Sequence, residues 1–236
     1  MSLVVALPVA IALLSLPAAG ASAASSTGKA SPAEKAIAAA IYIRRSDLPA
    51  GFIVQANAGV SIGGDPQTQF KSCYGPGATA PGGNSPDVSS PSYSKDSGVG
   101  ETVTVGSGVG FPSPAQLARD KGYAGSPKFP RCVADAFAAL TFKTDGVTVT
   151  GSQPRGVELP DQVDTTAAVQ TLVGLRASFT WTVRDVSLPV YLDLYVVRVG
   201  GEELDLYVFA TRQPVLISSE AHLLSLMVTR ALAHPH

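Results

Sequence analysis

Hydrophobic and polar residues alternate along the last third of the chain. Residues 173–183 carry apolar side chains at the odd positions and polar or small ones at the even positions. This period of two predicts a strand with one face in the core and one face in water. Two further strand-like runs, 190–199 and 203–211, are separated by Gly200-Gly201-Glu202, which predicts a hairpin.

The length of the hairpin turn decides which side chains share a face. We predict a three-residue turn with Val199 opposite Glu203, because this register collects the leucines and valines on one side. A two-residue turn would place Tyr195 opposite Leu206 and mix the faces. The predicted second face is either the buried side of a helix-covered sheet, the more common case, or a recognition patch. Its members are Tyr191, Asp193, Tyr195, Asp205, Tyr207 and Phe209, of which the three tyrosines and Asp193 are candidate binding residues.

Another strand is predicted over residues 99–111, where valine alternates with threonine and glycine. Its second face is nearly bare of side chains, since it carries Gly106, Gly108 and Gly110. Glycines in a strand indicate either a twisted, bulged strand under a closely packed helix or the floor of a ligand groove. The first interpretation is the more common one. Under the second, Gly106 and Gly108 are candidate binding positions.

Four helices are predicted from capping residues and apolar stripes. Ser31-Pro32-Ala33-Glu34 supplies an N-cap, a proline at the first helical position and a capping-box glutamate, so a helix should run from there to about Ile43. A second helix should begin at Ser113-Pro114 and end at Gly122. The other two are predicted over residues 130–140 and 219–233. The last of these, with Ser218 as its cap, is apolar enough to lie on the sheet.

The two cysteines of the chain are Cys73 and Cys132. In an oxidising compartment they would most simply pair with each other, and the alternative is two buried free thiols. Cys73 begins a stretch rich in Gly, Pro and Ser, residues 72–98, for which we predict a long loop. Cys132 lies on a predicted core-facing helix. The bridge would tether that helix to the loop and contribute about 4 kcal/mol.

The amino-terminal segment predicts export. Residues 3–23 are apolar, rich in Ala and Leu, and end in Ala21-Ser22-Ala23, which is typical of a cleaved secretion signal over residues 1–23. A retained membrane anchor is the alternative. Residues 24–30 are expected to be a disordered leader. Residues 31–236 should form one α+β domain, an antiparallel sheet flanked by helices, which is secreted and not inserted in a membrane after cleavage.

Charge and motif content narrow the possible functions. The formal net charge is -1 and the pI about 6.3, so the chain lacks the broad basic field that nucleic-acid binding needs. Of three histidines only His222 lies away from the last three residues, and no G-x-S-x-G motif occurs. The alternating glycines of residues 106–110 do not form a dinucleotide-binding turn. We therefore assign no catalytic residue, no metal ligand and no cofactor, and expect a protein that is not an enzyme.

The order of these features resembles a group of small exported proteins of actinobacteria. The features are a D-L-P-x-G-[FW] turn at residues 47–52, Cys73 in its Gly/Pro/Ser-rich stretch, Ser92 to Ser94 before a strand, and Cys132 on a helix. The chain is similar to extracytoplasmic sensor-type domains of Ser/Thr kinases and to lipoproteins with a PsbP-like αβα sandwich. The resemblance implies binding or sensing at the cell envelope. It departs from the lipoproteins in lacking a lipobox cysteine.

Three functions stay open at this point. The first is a secreted, non-enzymatic binding or sensor-like module of the cell envelope whose ligand is unknown. The second is a structural or assembly factor that contacts another envelope protein through the apolar last helix. The third, and the least supported, is a secreted hydrolase that uses a serine, an aspartate and His222.

Overall fold

A computed structural model describes most of the domain. The described residues are 29–55, 61–63, 66–78, 86–98, 101–124, 126–138, 141–143, 147–150, 155–156, 169–183 and 186–234. The predicted signal at residues 1–23 and most of the predicted leader lie outside them. Among the described residues, no helix is both long and apolar enough to cross a membrane.

The helices follow the capping signals closely at the start of the chain and less closely at its end. They are α1 (Pro32–Ile41), α2 (Pro66–Tyr74), α3 (Pro114–Ala124), α4 (Phe129–Ala138) and α5 (Ile217–Leu232). The capping box of α1 is confirmed, since the Glu34 amide donates to Ser31 Oγ and the Ser31 amide donates to Glu34 Oε2. The predicted cap of α5 is wrong: Ser218 lies inside the helix, and Leu216 occupies the N-cap position without a side-chain hydrogen bond.

The strands form one large antiparallel sheet and one small pair. They are β1 (Ile53–Val54), β2 (Ser61–Gly63), β3 (Asp87–Ser89), β4 (Tyr93–Gly98), β5 (Glu101–Gly110), β6 (Thr141–Lys143), β7 (Val147–Thr150), β8 (Arg155–Gly156), β9 (Val169–Val183), β10 (Val186–Val199) and β11 (Glu202–Thr211). The large sheet runs in the order β1-β4-β5-β11-β10-β9-β7, with β3 beside β5 and β8 beside β9. Strands β2 and β6 pair separately.

Helices cover both faces of the large sheet, so the chain has the expected α+β architecture. On the face that we call the disulfide face, aromatic and sulfur-containing residues of α2, α3 and α4 pack on β9, β10 and β11. On the opposite face, which we call the α5 face, α1 and α5 pack on β5, β10 and β11. Each strand of the centre of the sheet therefore buries both sets of alternating side chains.

The structure corrects the predicted loop over residues 72–98. Cys73 lies in the last turn of α2, and the stretch after it contains β3 and β4, both paired with β5. The stretch has no clear period because these strands are short and lie end to end along one edge of β5. The disulfide between Cys73 and Cys132 is confirmed, and it joins two helices, not a helix and a loop.

The predicted hairpin register is also wrong. Val199 pairs with Glu202, so the turn is the two-residue Gly200-Gly201, with Gly200 at φ +60°. Only glycine and a few polar residues adopt that positive φ easily, which suits the mirror-image turns of two-residue hairpins. Tyr195 consequently lies opposite Leu206. The prediction failed because it collected the leucines and valines on one face, whereas both faces are covered and both bury apolar side chains.

Candidate functional site

The two-residue turn divides the candidate recognition patch between the two faces. Tyr191, Asp193 and Tyr195 project to the α5 face, while Tyr207 projects with Asp205 and Phe209 to the disulfide face. Tyr195, Tyr207 and Asp193 are buried, and Tyr191 is half-buried. The four residues therefore form no common surface.

Tyr207 fills the space above Gly106. The two residues are cross-strand partners in β11 and β5, and a β-carbon placed on Gly106 would lie 2.0 Å from the Tyr207 hydroxyl oxygen. The ring continues past the glycine, and its hydroxyl shares a 2.8 Å hydrogen bond with the Ser92 hydroxyl. Gly106 is thus required for close packing of a tyrosine, and at this position the bare strand face is not an open groove floor.

Two aspartates lie above Gly108, the other candidate glycine. An ideal β-carbon at residue 108 would lie 3.1 Å from Asp87 Oδ1 and 3.5 Å from Asp205 Oδ2. On the same face of β11, Glu203 is buried, and its Oε2 accepts a 3.3 Å hydrogen bond from Nη2 of Arg198 on β10. We call Asp87, Glu203, Asp205 and Arg198 the carboxylate cluster.

The carboxylate cluster raises the pKa of Asp205 well above its ordinary value of 3.8. Desolvation is the largest cause: part of the residue remains accessible to solvent, but the sheet beneath it removes most of the water from the carboxyl group. The negative charges of Glu203 and Asp87 add to the effect. The cluster therefore favours the protonated form of Asp205.

A second ionisable cluster lies on the α5 face, under the first turn of α5. Arg176 of β9 donates two hydrogen bonds to the cross-strand Asp193, from Nε at 2.5 Å and from Nη2 at 2.7 Å, and a third to the Val215 carbonyl at 3.0 Å. The Tyr195 hydroxyl donates to Glu220 Oε2 at 2.6 Å. We call Arg176, Asp193, Tyr195 and Glu220 the α5 latch.

Burial raises the pKa of Glu220 in the α5 latch to about 9. A hydrogen bond and the charge of Asp193 act in the same direction, while Tyr195 and Arg176 lower it by less. The pKa of Tyr195 is also raised, first by desolvation and then by Glu220. Glu220 is consequently a neutral acid at pH 7, inside a cluster that has one guanidinium.

The disulfide lies beside an aromatic group on the other face. Phe70 stacks on Tyr74 with ring centroids 5.5 Å apart, and Tyr123 and Phe129 contact Phe70 edge-on at 5.8 and 6.1 Å. Cys132 is fully buried and Cys73 is half-buried. Because the bridge holds α2 against α4, it fixes the helical layer that covers β9 to β11.

Two further features of the sequence analysis are His222 and the possibility of a metal site. His222 lies on the exposed side of α5. No group of three or more His, Cys, Asp or Glu side chains in the described ranges has the arrangement that could hold a metal ion. The carboxylate cluster is included in that result, so its carboxyl groups are not spaced to hold a metal ion.

Five of the clustered residues were missed by the sequence reasoning: Asp87, Arg176, Arg198, Glu203 and Glu220. A signal existed for Arg176. Two residues separate Val183 from Val186, and pairing these two valines across antiparallel strands places Arg176 opposite Asp193. Asp87 and Glu220 come from distant segments, and no local pattern could place them.

Comparison with protein-family models, curated proteins and solved structures finds no match for this chain.

Proposed function

We propose that this protein is an exported, non-enzymatic binding module of the cell envelope, and that the carboxylate cluster receives a positively charged group of its ligand. The observation that carries the proposal is the placement of Asp87 and Asp205 over Gly108. Their carboxyl oxygens lie 3.1 and 3.5 Å from the position that a β-carbon of residue 108 would occupy. The disulfide supports the extracytoplasmic location, since such bonds persist in oxidising compartments.

Charge defines the kind of ligand. In the part of the chain that the structure describes, three carboxyl groups share a partly desolvated region with the guanidinium of Arg198, which hydrogen-bonds Glu203. A cationic group near Asp87 and Asp205 would offset the excess of negative charge, as a close opposite charge does in any low-dielectric site. Since the carboxyl groups lack the spacing of a metal site, an organic ammonium or guanidinium group fits better than a bare metal ion.

The raised pKa of Asp205 gives this binding mode a characteristic pH dependence. A bound cation favours the ionised form of Asp205, so binding releases a proton whenever Asp205 is protonated in the free protein. Affinity should therefore rise as the pH rises through the pKa of Asp205. The affinity of a ligand held by neutral hydrogen bonds alone would not rise with pH in this way.

Calorimetric titration of the mature domain tests the proposal. The probes are spermidine and agmatine, with glycerol as the uncharged comparison, each measured in two buffers of different ionisation enthalpy to count released protons. We expect the two amines to bind wild type and not Asp205→Asn. The matched control is Asp135→Asn, an exposed carboxylate 3.8 Å from Arg131. Absence of amine binding, or equal loss in both variants, would refute this binding mode.

The resemblance to envelope sensor domains and PsbP-like lipoproteins belongs to the same proposal. The antiparallel sheet with helices on both faces supports this resemblance, because an αβα sandwich has the same three layers. In this interpretation the domain senses or captures a cationic envelope component outside the cytoplasm. Its partner is that component and not a nucleic acid.

A second candidate function, an assembly factor that binds another envelope protein, is favoured by the edge of the sheet. The edge strand β1 exposes Ile53 at 64% and Val54 at 60%. The last helix cannot provide the contact predicted for it, because its apolar stripe is buried on the sheet (Leu223, Leu224, Met227, Val228 and Ala231). Cross-linking in envelope extract separates the two functions, because only the assembly factor would lose its cross-linked partner when Ile53→Glu is introduced.

A further inference from the structure

The α5 latch contains two acids and one guanidinium, all with little access to solvent. Asp193 and Glu220 are each only 1% exposed. Asp193 occupies the guanidinium of Arg176 with two hydrogen bonds, whereas Glu220 Oε1 lies 3.7 Å from Arg176 Nη2, too far for a hydrogen bond. The positive charge of Arg176 is thus already matched by Asp193.

A negative charge on Glu220 would have no comparable partner. Burying an unmatched carboxylate costs several kcal/mol, so the proton should stay on Glu220. The hydrogen-bond geometry agrees: Oε2 accepts from Tyr195, while Oε1 accepts no hydrogen bond from any group that the structure describes. A hydroxyl at Oε1 turns that unsatisfied acceptor into a donor toward the Asp193 carboxylate.

The surroundings of Glu220 contain few other charges. Arg176 faces it from β9, and Asp193 and Tyr195 face it from β10. The other elements packed against α5 on this face, β11 and α1, contribute apolar side chains to the shared core, including Leu206, Val208 and Ile41. No lysine or histidine of the described chain takes part in the latch. If Glu220 lost its proton, none of these side chains could therefore balance its negative charge.

We propose that Glu220 is a proton-dependent latch: its neutral carboxyl group holds the first turn of α5 on the sheet, and loss of that proton releases the turn. The proton passes to solvent or buffer, and the carboxylate left behind is repelled by Asp193. Two features make the first turn the part that moves. Leu216 caps α5 without a side-chain hydrogen bond, and its own side chain is exposed.

The other end of α5 is held independently. Arg230 donates to both oxygens of Asp47, at 2.6 and 2.8 Å, and to the Tyr42 carbonyl at 3.1 Å. These contacts involve none of the latch residues. Release should therefore stay local, uncovering Tyr195 and Ala221 while the carboxyl-terminal turns of α5 remain in place.

Hydrogen exchange followed by mass spectrometry tests the latch. Exchange of residues 217–223 in the full domain is compared with that of residues 226–232 at several pH values from 6 to 10.5, after correction for intrinsic exchange rates. In wild type, protection of residues 217–223 should fall at least tenfold as the pH passes about 9. Residues 226–232 should show no such step.

Glu220→Gln is the decisive variant, since its amide can accept from Tyr195 and donate to Asp193 but cannot ionise. We expect constant protection of residues 217–223 in this variant over the whole pH range. The control is Glu101→Gln, at the start of β5 and outside the latch, which should behave as wild type. A step that persists in Glu220→Gln, or no step in wild type, would overturn the proposal. If Glu220→Gln fails to fold, infrared difference spectra of Asp205→Asn decide: with the other carboxyl group of raised pKa removed, the carbonyl band of a buried protonated acid must vanish near pH 9.

Discussion

The ring of Tyr207 lies directly over Gly106 of the neighbouring strand and ends in a hydrogen bond to Ser92. The three residues come from β11, β5 and the segment before β4, so one side chain crosses three adjacent segments of the sheet. Glycine at 106 makes this crossing possible, because any β-carbon would occupy the place of the ring.

Gly106→Ala should therefore destabilise the domain strongly. The added carbon would lie 2.1 Å from Tyr207 Cζ, and the buried ring can move only by breaking its contact with Ser92. We expect a loss of about 3 kcal/mol in the free energy of unfolding, measured by urea denaturation. In Tyr207→Leu the same substitution should cost far less, and this non-additivity separates a clash with the ring from a general strand effect.

Gly122→Ala provides the matched control. Gly122 lies inside α3, and a β-carbon there meets nothing within 4 Å. Alanine favours a helix over glycine by about 1 kcal/mol, so this variant should be neutral or slightly more stable. A similar loss of stability in both alanine variants would contradict the proposed role of Gly106.

Local signals predicted most elements of this fold, because they act within a few residues. The Ser31 capping box, the strand around Val105 and the helix around Cys132 all appear near their predicted places. Helix α2 was missed, although Pro66 at its start is the same kind of signal as Pro32, because its residues are mostly polar and border a Gly- and Pro-rich stretch.

The sides of the sheet could not be predicted from alternation, and this error misplaced the candidate site. The pattern argument placed Asp193 and Asp205 together on one face of the sheet. In the structure they lie on opposite covered faces, with Asp193 held by Arg176, a residue seventeen positions earlier. A charged residue can be buried on either face of a sheet when a neighbouring strand supplies the opposite charge. The sequence of one strand does not contain that partner, so it does not predict which face the charged residue occupies.

Glu220 should make the domain less stable as the pH rises. Its pKa is raised from 4.5 to about 9 by folding, so its stabilising effect is complete below pH 4.5 and is lost progressively up to about pH 9. Glu220→Gln should remove this slope and gain about 3 kcal/mol at pH 7. Urea denaturation at pH 5, 7 and 9 measures both effects. A wild-type curve and a variant curve that remain parallel would show that Glu220 ionises normally.

The Asp47–Arg230 pair should show the opposite pH dependence. Its hydrogen bonds to Arg230 hold the pKa of Asp47 below the ordinary 3.8, so the pair stabilises the fold above that pH and loses its effect as the pH falls further. Asp47→Asn should cost about 2 kcal/mol at pH 7 and less at pH 2.5. Thermal unfolding at the two pH values measures the difference, with Asp135→Asn as the surface control. An equal cost at both pH values would assign the effect to packing instead of charge.

Reduction of the disulfide should destabilise one layer of the domain more than the other. Cys73 and Cys132 are 59 residues apart, and closing a loop of that size contributes about 4 kcal/mol in the chain-entropy model. The bond connects α2 to α4 on the disulfide face, while α1 and α5 are held on the opposite face without it. In a Cys73→Ser, Cys132→Ser double variant, we expect a lower melting temperature and faster hydrogen exchange in residues 66–74 and 129–138, with smaller changes in residues 32–41.

Thiol titration of the unfolded wild-type protein should find no free sulfhydryl group. Two reactive thiols in protein purified from its native compartment would contradict both the bridge and the exported location.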